Sequence, residues 1–350
     1  MARGEFEARL MENAPCTSLA PNIVKGTGSG GGFGGSSKGK TKRNGNGNGN
    51  TNSKGKSSTT TTSRFQAQAQ AQSHARILQE QGVVRIDHVL PPDLADVVRE
   101  NVYTLREESE QLVASGKVPS SARFADVLLK HHRRDLTLPL NDDWAAAAAA
   151  QLLLESPVGF VLESLLTSRA LLREWSCLIS DPGSPRQVVH PDTPWQKEPV
   201  LYTCFVALQD VTVEMGPTTW LPQTHTQAMH AQFQDETPPS STTNHDGAHP
   251  TTTTTTRMIM SPKDELLSTQ PSVLGTLSKG SCAIFDSRLL HCGGANVSID
   301  KSRALLYCSF QNPQIVQVGN PGSIRSDLIG KWTLESLSNE LRLRQTTKSV

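Results

Sequence analysis

The chain has 350 residues, enough for one large domain or two smaller ones, and only 36% are hydrophobic, below the share of an ordinary globular protein. Its formal charge of +1 conceals an asymmetry: residues 25–64 carry eight Lys and Arg and no acid, which leaves about −7 for the remainder. That sign argues against nucleic-acid binding by the remainder, and no apolar run approaches the ~20 residues of a membrane span.

The first residues, "MARGEFEARLMENAPC", include acids and lack the apolar core of a signal peptide. From Gly26 to Ser63 the only large apolar residue is Phe33, and the rest is mainly Gly, Asn, Ser, Thr and Lys. Such a stretch cannot bury enough surface to offset its ordering entropy, so residues 1–64 read as a disordered, basic, low-complexity tail. Within it "GGSSKGKT" (34–41) satisfies the phosphate-loop pattern with Gly34, Gly39, Lys40 and Thr41, and Gly30, Gly32 and Gly35 satisfy G-x-G-x-x-G. A working phosphate loop needs a buried strand before it and a helix after it. The flanks "KGTGSGGGF" and "KRNGNGNGNTN" supply neither, so both matches are accidents of composition.

Order is expected from about Phe65. "FQAQAQAQSHARILQEQG" reads as a helix stopped by Gly82, and "VVRID" as a short strand. "PPDLADVVRENVYTLREESEQLVASG" has Pro at its start, apolar residues at helical spacing and a terminal Gly; "NDDWAAAAAAQLLLE" is a further helix with Asn141 or Asp142 as N-cap. After Pro157 the texture changes to short apolar, β-branched runs: "ALLREWSCLIS", "VLYTCFVALQ", "SVLGTL", "SCAIF" and "RALLYCSF". Strands after a helical block predict an α+β fold, a closed or double-sheet β core flanked by N-terminal helices. A polar segment, "DETPPSSTTNHDGAHPTTTTTT", reads as a mobile Thr-rich insertion at about 235–256, inside a domain spanning 65–350. The six cysteines never form C-x-x-C and five lie in or beside apolar runs, so neither disulfides nor a zinc site is expected. The C-terminal "TTKSV" is not a peroxisomal address, and an intracellular, cytoplasmic protein is the expectation.

The informative stretch is "SDPGSPRQVVHPDTPW". His190 and Asp192 are two apart, so on an extended strand their side chains share a face. "IFDSRLLHCGGAN" offers His291, at the end of an apolar strand, as a third ligand. Two His and one carboxylate on one side of an iron leave positions open for cosubstrate and oxygen. Arg303 opens the buried-looking strand "RALLYCSF", and its charge calls for an anionic partner such as a dicarboxylate. Singly, each piece has a bland reading, because H-x-D arises by chance and a lone histidine is more often packed or solvated. Their order along the chain is what makes them selective.

These blocks carry a resemblance. "LQEQGVVRIDHVLPPDLADVVREN", "RQVVHPDTPW", "VALQDVTVEMGPTTWLPQTHT" and "GSCAIFDSRLLHCGGANVSIDKSRALLYCSF" resemble, in order, the phytanoyl-CoA dioxygenase family of non-haem iron, 2-oxoglutarate-dependent oxygenases, over about residues 77–315. The resemblance implies a double-stranded β-helix (jelly-roll) with Fe(II) on His190, Asp192 and His291. It places the distal carboxylate of 2-oxoglutarate on Arg303, with Gln187 either reaching the cosubstrate or serving only strand pairing. The implied activity is hydroxylation of a small molecule or acyl derivative with release of succinate and CO2; ascorbate is a further candidate cofactor. The alternative is a catalytically silent jelly-roll that binds a ligand or protein. The expected partner is a small-molecule substrate, with no nucleic acid and the oligomeric state open. His225, in "LPQTHT", is read as structural; His230, His245 and His249 as surface residues in or beside the insertion; Trp195 as a core aromatic; and "HHRR" (131–134) as a solvated basic patch.

Overall fold

A computed structural model describes residues 7–9, 11–12, 14–20, 57–128, 130–236 and 260–347. The phosphate-loop match at 34–41, the tail over 21–56 and the insertion over 237–256 lie outside the described residues. The described parts of the N-terminal segment are ordered: Cys16–Ser18 forms a strand, and the first long helix begins at Ser57, ahead of Phe65.

That helix runs Ser57–Gln81 and buries Ala71, Ala75 and Leu78, spaced at four and three residues, toward the Pro157–Leu166 helix. Gly82 ends it with φ +79°, a left-handed conformation that side-chain-bearing residues avoid. The Pro92–Ala114 helix starts at its proline and buries Ala95, Val98 and Val102. Asp142 caps the Asp143–Ala150 helix in extended geometry without a side-chain hydrogen bond, and a π-helical turn, Gln151–Glu155, follows. Among the described residues no single helix is long and apolar enough to cross a membrane.

The strands are β1 (Cys16–Ser18), β2 (Val83–Ile86), β3 (Arg133–Thr137), β4 (Leu171–Ser180), β5 (Leu201–Ala207), β6 (Thr218–Trp220), β7 (Ser272–Leu274), β8 (Cys282–Asp286), β9 (His291–Gly293) and β10 (Arg303–Gln311). They form a six-stranded sheet in the order β2-β8-β5-β10-β4-β3, antiparallel throughout, and a four-stranded sheet, β1-β7-β6-β9. In the smaller sheet only β1 and β7 run parallel. The expected α+β class with antiparallel sheets is the one the chain adopts.

Alternation along β10 explains the layers. Ala304, Leu306, Cys308 and Phe310 join the core shared with the helices, whereas Leu305 and Tyr307 face a second core with Phe205, Phe285 and Trp220 of β6. Trp220 meets Phe285 with ring centroids 5.8 Å apart, so the small sheet covers the inner face of the large one. Inner-face positions are where this chain carries its polar side chains.

Two readings are corrected. His230 is not a surface residue: it is 3% exposed, and its Nε2 pairs with the Arg288 carbonyl at 2.6 Å. The "HHRR" segment is not uniformly solvated either. His131 and His132 are exposed, but Arg133 opens β3 and is buried, because the strand turns it inward between β4 and β9.

Gly82 provides a test of the packing. A Cβ there would lie 2.6 Å from Leu289 Cδ1 and 2.7 Å from the His225 ring, whose Nε2 pairs with the Gln79 carbonyl. Gly82→Ala is expected to destabilise the protein by about 2–4 kcal/mol, from left-handed strain plus overpacking. Urea denaturation monitored by tryptophan fluorescence would show it, and a change below about 0.5 kcal/mol would contradict this packing.

Candidate metal centre

His190 and His291 are 101 positions apart, and a reciprocal backbone pair joins them. His190 N–H donates to the His291 carbonyl and His291 N–H donates to the His190 carbonyl, each at 2.9 Å. Asp192 is anchored next to them, its N–H donating to the Ser287 carbonyl at 2.8 Å, while the Thr193 and Ser287 hydroxyls meet at 2.7 Å. Just upstream, Val189 N–H donates to the Glu7 carboxylate at 2.7 Å, so the N-terminal segment also holds this loop.

The two imidazoles are oriented alike. Nδ1 of His190 lies 2.8 Å from the Val188 carbonyl and Nδ1 of His291 lies 2.9 Å from the Leu289 carbonyl. A carbonyl only accepts, so each Nδ1 carries the proton and each Nε2 keeps its lone pair. Those Nε2 atoms lie 3.9 Å and 3.5 Å from Asp192 Oδ1, and one donor atom from each of the three residues falls within 4.8 Å of the others. Ligand bonds of about 2.0–2.2 Å at roughly right angles would put donors about 3 Å apart, so this is a spacing that one ion can gather.

The charges agree with that role. Burial, with His291 beside it, holds His190 down to about 4, so its imidazole is neutral near pH 7. Burial opposes ionisation of Asp192, but His291 and then His190 carry the carboxyl below its ordinary value. Burial likewise opposes protonation of His291, and the Asp192 charge outweighs it and raises the imidazole.

The three groups open into a cavity of about 690 Å³ between the sheets. Gln187 lines it and its Oε1 accepts from Gly293 N–H at 2.9 Å; a Cβ on Gly293 would come within 2.6 Å of that oxygen and push the Gln187 side chain aside. Trp195 is not the core aromatic expected: it is half-buried, belongs to none of the core clusters of the described residues and lies outside the lining.

Arg303 is fully buried. Its Nη2 donates to Ser180 Oγ at 3.1 Å, and its Nε and Nη1 have no partner. Ser180 stands in register between Arg303 and Arg133, and Arg133 Nε donates to the same hydroxyl at 3.2 Å. Arg133 Nη2 donates to the Gly294 carbonyl, and its Nη1 is unpartnered. Two guanidiniums thus share one serine, and neither forms an ion pair among the described residues. Burial, then the neighbouring Arg133, pushes Arg303 down to about 9; burial pushes Arg133 down to about 10. Desolvated cations with unused donors are groups that an anion such as a carboxylate would satisfy.

The structure therefore brings His190, Asp192 and His291 together, with Gln187 on the cavity wall and Arg303 buried beside a second arginine. Sequence reasoning missed Arg133, Asp135, Glu174, Thr203 and Tyr307, all on the inner face of the large sheet. The signal for Glu174 was a lone carboxylate inside the strand "LLREWSCLIS".

Comparison with known proteins follows this geometry. Among solved structures, SnoN, the non-heme alpha ketoglutarate dependent epimerase from nogalamycin biosynthesis, is 19% identical over 70% of this chain and 84% of its own, with a TM-score of 0.43. AviO1 from Streptomyces viridochromogenes Tue57 is 15% identical over 71% of this chain and 97% of its own, with a TM-score of 0.46. HygX from Streptomyces hygroscopicus, solved with nickel and 2-oxoglutarate bound, is 12% identical over 70% and 88%, with a TM-score of 0.44. No curated protein matches by sequence. The family description Phytanoyl-CoA dioxygenase (PhyH) matches residues 78–304, about two thirds of the length. On that match, the chain belongs to the phytanoyl-CoA dioxygenase family.

Proposed function

We propose that this protein is an Fe(II)- and 2-oxoglutarate-dependent dioxygenase that hydroxylates a small molecule and releases succinate and CO2. The observation that carries it is the three-donor cluster, His190, Asp192 and His291, facing a cavity behind which two buried arginines have unused donors. The donor set is that of a two-histidine, one-carboxylate iron site, and the orphaned guanidinium nitrogens fit the far carboxylate of a dicarboxylate. The two facing sheets are in this reading the halves of a double-stranded β-helix. The catalytic domain is assigned to 65–350, and β1, with Leu19 and Met11 packed into its cores, adds a piece of the N-terminal segment to it.

In this assignment Fe(II) is held by Nε2 of His190 and His291 and by the Asp192 carboxylate, with Arg303 taking the distal carboxylate of 2-oxoglutarate. Bound there, iron and 2-oxoglutarate supply the oxidising chemistry, in which O2 is reduced as the cosubstrate is decarboxylated. The chain's own residues position and protect it. The Val188 and Leu289 carbonyls fix both imidazole tautomers, so neither ligand has to reorient when metal enters. Asp192 stays ionised because two imidazoles face it, and a carboxylate at that position occupies the coordination site a halide would need. Gln187 uses its Oε1 on β9, while its amide nitrogen has no partner among the described residues and is left for the cosubstrate. The Phe205 and Phe285 rings lie 5.0 Å apart, and Phe285 is 5.0 Å from the His291 ring at a tilt of 58°, an apolar wall that would keep water from a metal held there.

Purified protein with Fe(II), ascorbate and 2-oxoglutarate is expected to release succinate slowly without added substrate, and His190→Ala to fall to the level of buffer. Quantifying succinate by mass spectrometry decides it. Equal release by both proteins would remove the metal assignment and leave a ligand-binding module.

Arg303→Lys, which keeps a charge but loses the planar fork, is expected to raise the KM for 2-oxoglutarate by about 30-fold or more, with the Fe(II) requirement changed far less. Arg303→Ala should do the same more strongly. Equal sensitivity to iron and cosubstrate would mean that Arg303 only supports the fold.

A further inference from the structure

The inner face of the large sheet has a second polar end that iron and cosubstrate leave unused. Arg303 and Ser309 are six residues apart on β10, about 20 Å along the strand. At the Ser309 end, Thr203 of β5, Ser309 of β10 and Glu174 of β4 stand in register in one row. Ser309 Oγ donates to Glu174 Oε2 at 2.6 Å, and the other Glu174 oxygen has no protein donor among the described residues. Between this row and the arginines, Asp135 of β3 accepts the Tyr307 hydroxyl at 2.9 and 2.8 Å. Glu174, Asp135, Tyr307 and Thr203 all line the cavity that holds His190, Asp192 and His291.

Two features separate this end from an ordinary structural hydrogen-bond network. Thr203 is 2% exposed and lines the cavity, yet its Oγ1 has no partner, which is costly unless a ligand supplies one. Neither carboxyl has a counter-charge: among the described residues neither forms an ion pair. Arg173, the one cation acting on Glu174, gives its Nη2 to the Asn320 carbonyl. Lys130, the lysine of the lining, pairs with Asp126. Burial, with the Asp192 charge behind it, pushes Glu174 up to about 8, and burial pushes Asp135 up to about 6 against the Tyr307 hydrogen bond. Carboxyls raised in this way would be relieved by a cation brought in by a ligand.

We propose that this end of the cavity is the substrate site and that it takes a protonated amine, with Glu174 as its direct counter-ion, Asp135 adding charge and Thr203 accepting or donating a hydrogen bond. The proposal rests on the dioxygenase reading of the same cavity. The arrangement is then bipolar: guanidiniums buried behind the cavity take the anionic cosubstrate and Glu174, six residues from Ser180 along β4, takes the cationic substrate, with Asp135 between them. A volume of about 690 Å³ leaves room for both.

The test uses three ring compounds of similar size as probes: cyclohexylamine, cyclohexanol and cyclohexanecarboxylate. Their binding to the full chain is measured by saturation-transfer NMR, first metal-free and then with Ni(II) and 2-oxoglutarate. Cyclohexylamine is expected to bind about tenfold more tightly than cyclohexanol, and the carboxylate most weakly at this end. Glu174→Gln should erase the tenfold preference while leaving cyclohexanol binding unchanged. If the amine binds no better than the alcohol in the unmodified protein, the proposal is overturned, whatever the variant does. The two readings fail separately. In His190→Ala without metal the amine preference should persist, and a retained preference in an unmodified protein that releases no more succinate than His190→Ala counts against the metal assignment only.

Discussion

The reciprocal hydrogen bonds between the backbones of His190 and His291 are the constraint on which the site depends. They close an antiparallel bridge between a loop after β4 and the first residue of β9, flanked by Gln187 on Gly293 and Asp192 on Ser287. Because the bridge is made by main chain, it fixes where both Cα atoms lie whatever the side chains do. The side chains are then oriented locally, each imidazole by the carbonyl two residues before it. Asp192 enters through the Ser287 carbonyl, which belongs to the turn that leads into His291. A metal bound here would find its donors arranged by the fold rather than having to arrange them, and little ordering entropy would be charged against binding.

The large sheet divides labour between its faces. Its outer face is apolar and lies under the helices, which is where the stability of the domain resides. Its inner face can therefore carry groups that a core would not tolerate: two arginines without counter-ions, two carboxyls without cations and a threonine without a partner. Each is a local cost, of the kind that concentrates at sites of function. Arg303 and Arg133 flank Ser180 in one row and Glu174, Ser309 and Thr203 form another six residues along β4, with Asp135 between them.

Much of this was legible in the sequence, and the boundary between what was and was not follows from length and period. The long strands β4, β5 and β10 announce themselves because seven to ten residues establish a pattern. β6 and β9 have three residues each, too few for any period, and only their partners define them. His190 and Asp192 were readable because H-x-D is local, and His291 and Arg303 because each marks a strand end. Arg133 and Asp135 were not: "RRDLT" has the composition of a surface turn, and only pairing with β4 sends its alternate side chains inward. His230 was misread for the same reason, since its helix is polar in composition and its burial is decided by the Arg288 carbonyl over it.

The N-terminal segment is tied to this centre from two directions. β1 completes the edge of the small sheet, and Glu7, 1% exposed, receives the N–H of Val189, one residue before the first imidazole. Residues 21–56 join this anchored segment to the helix that begins at Ser57. Cutting the chain anywhere between residues 21 and 56 would turn that front end into a dissociable peptide, and its departure would strip a carboxylate from beneath the loop that bears His190. Proteolytic clipping there would in this way become a chemical event at the cavity that His190 lines, although the cut itself falls far away in sequence.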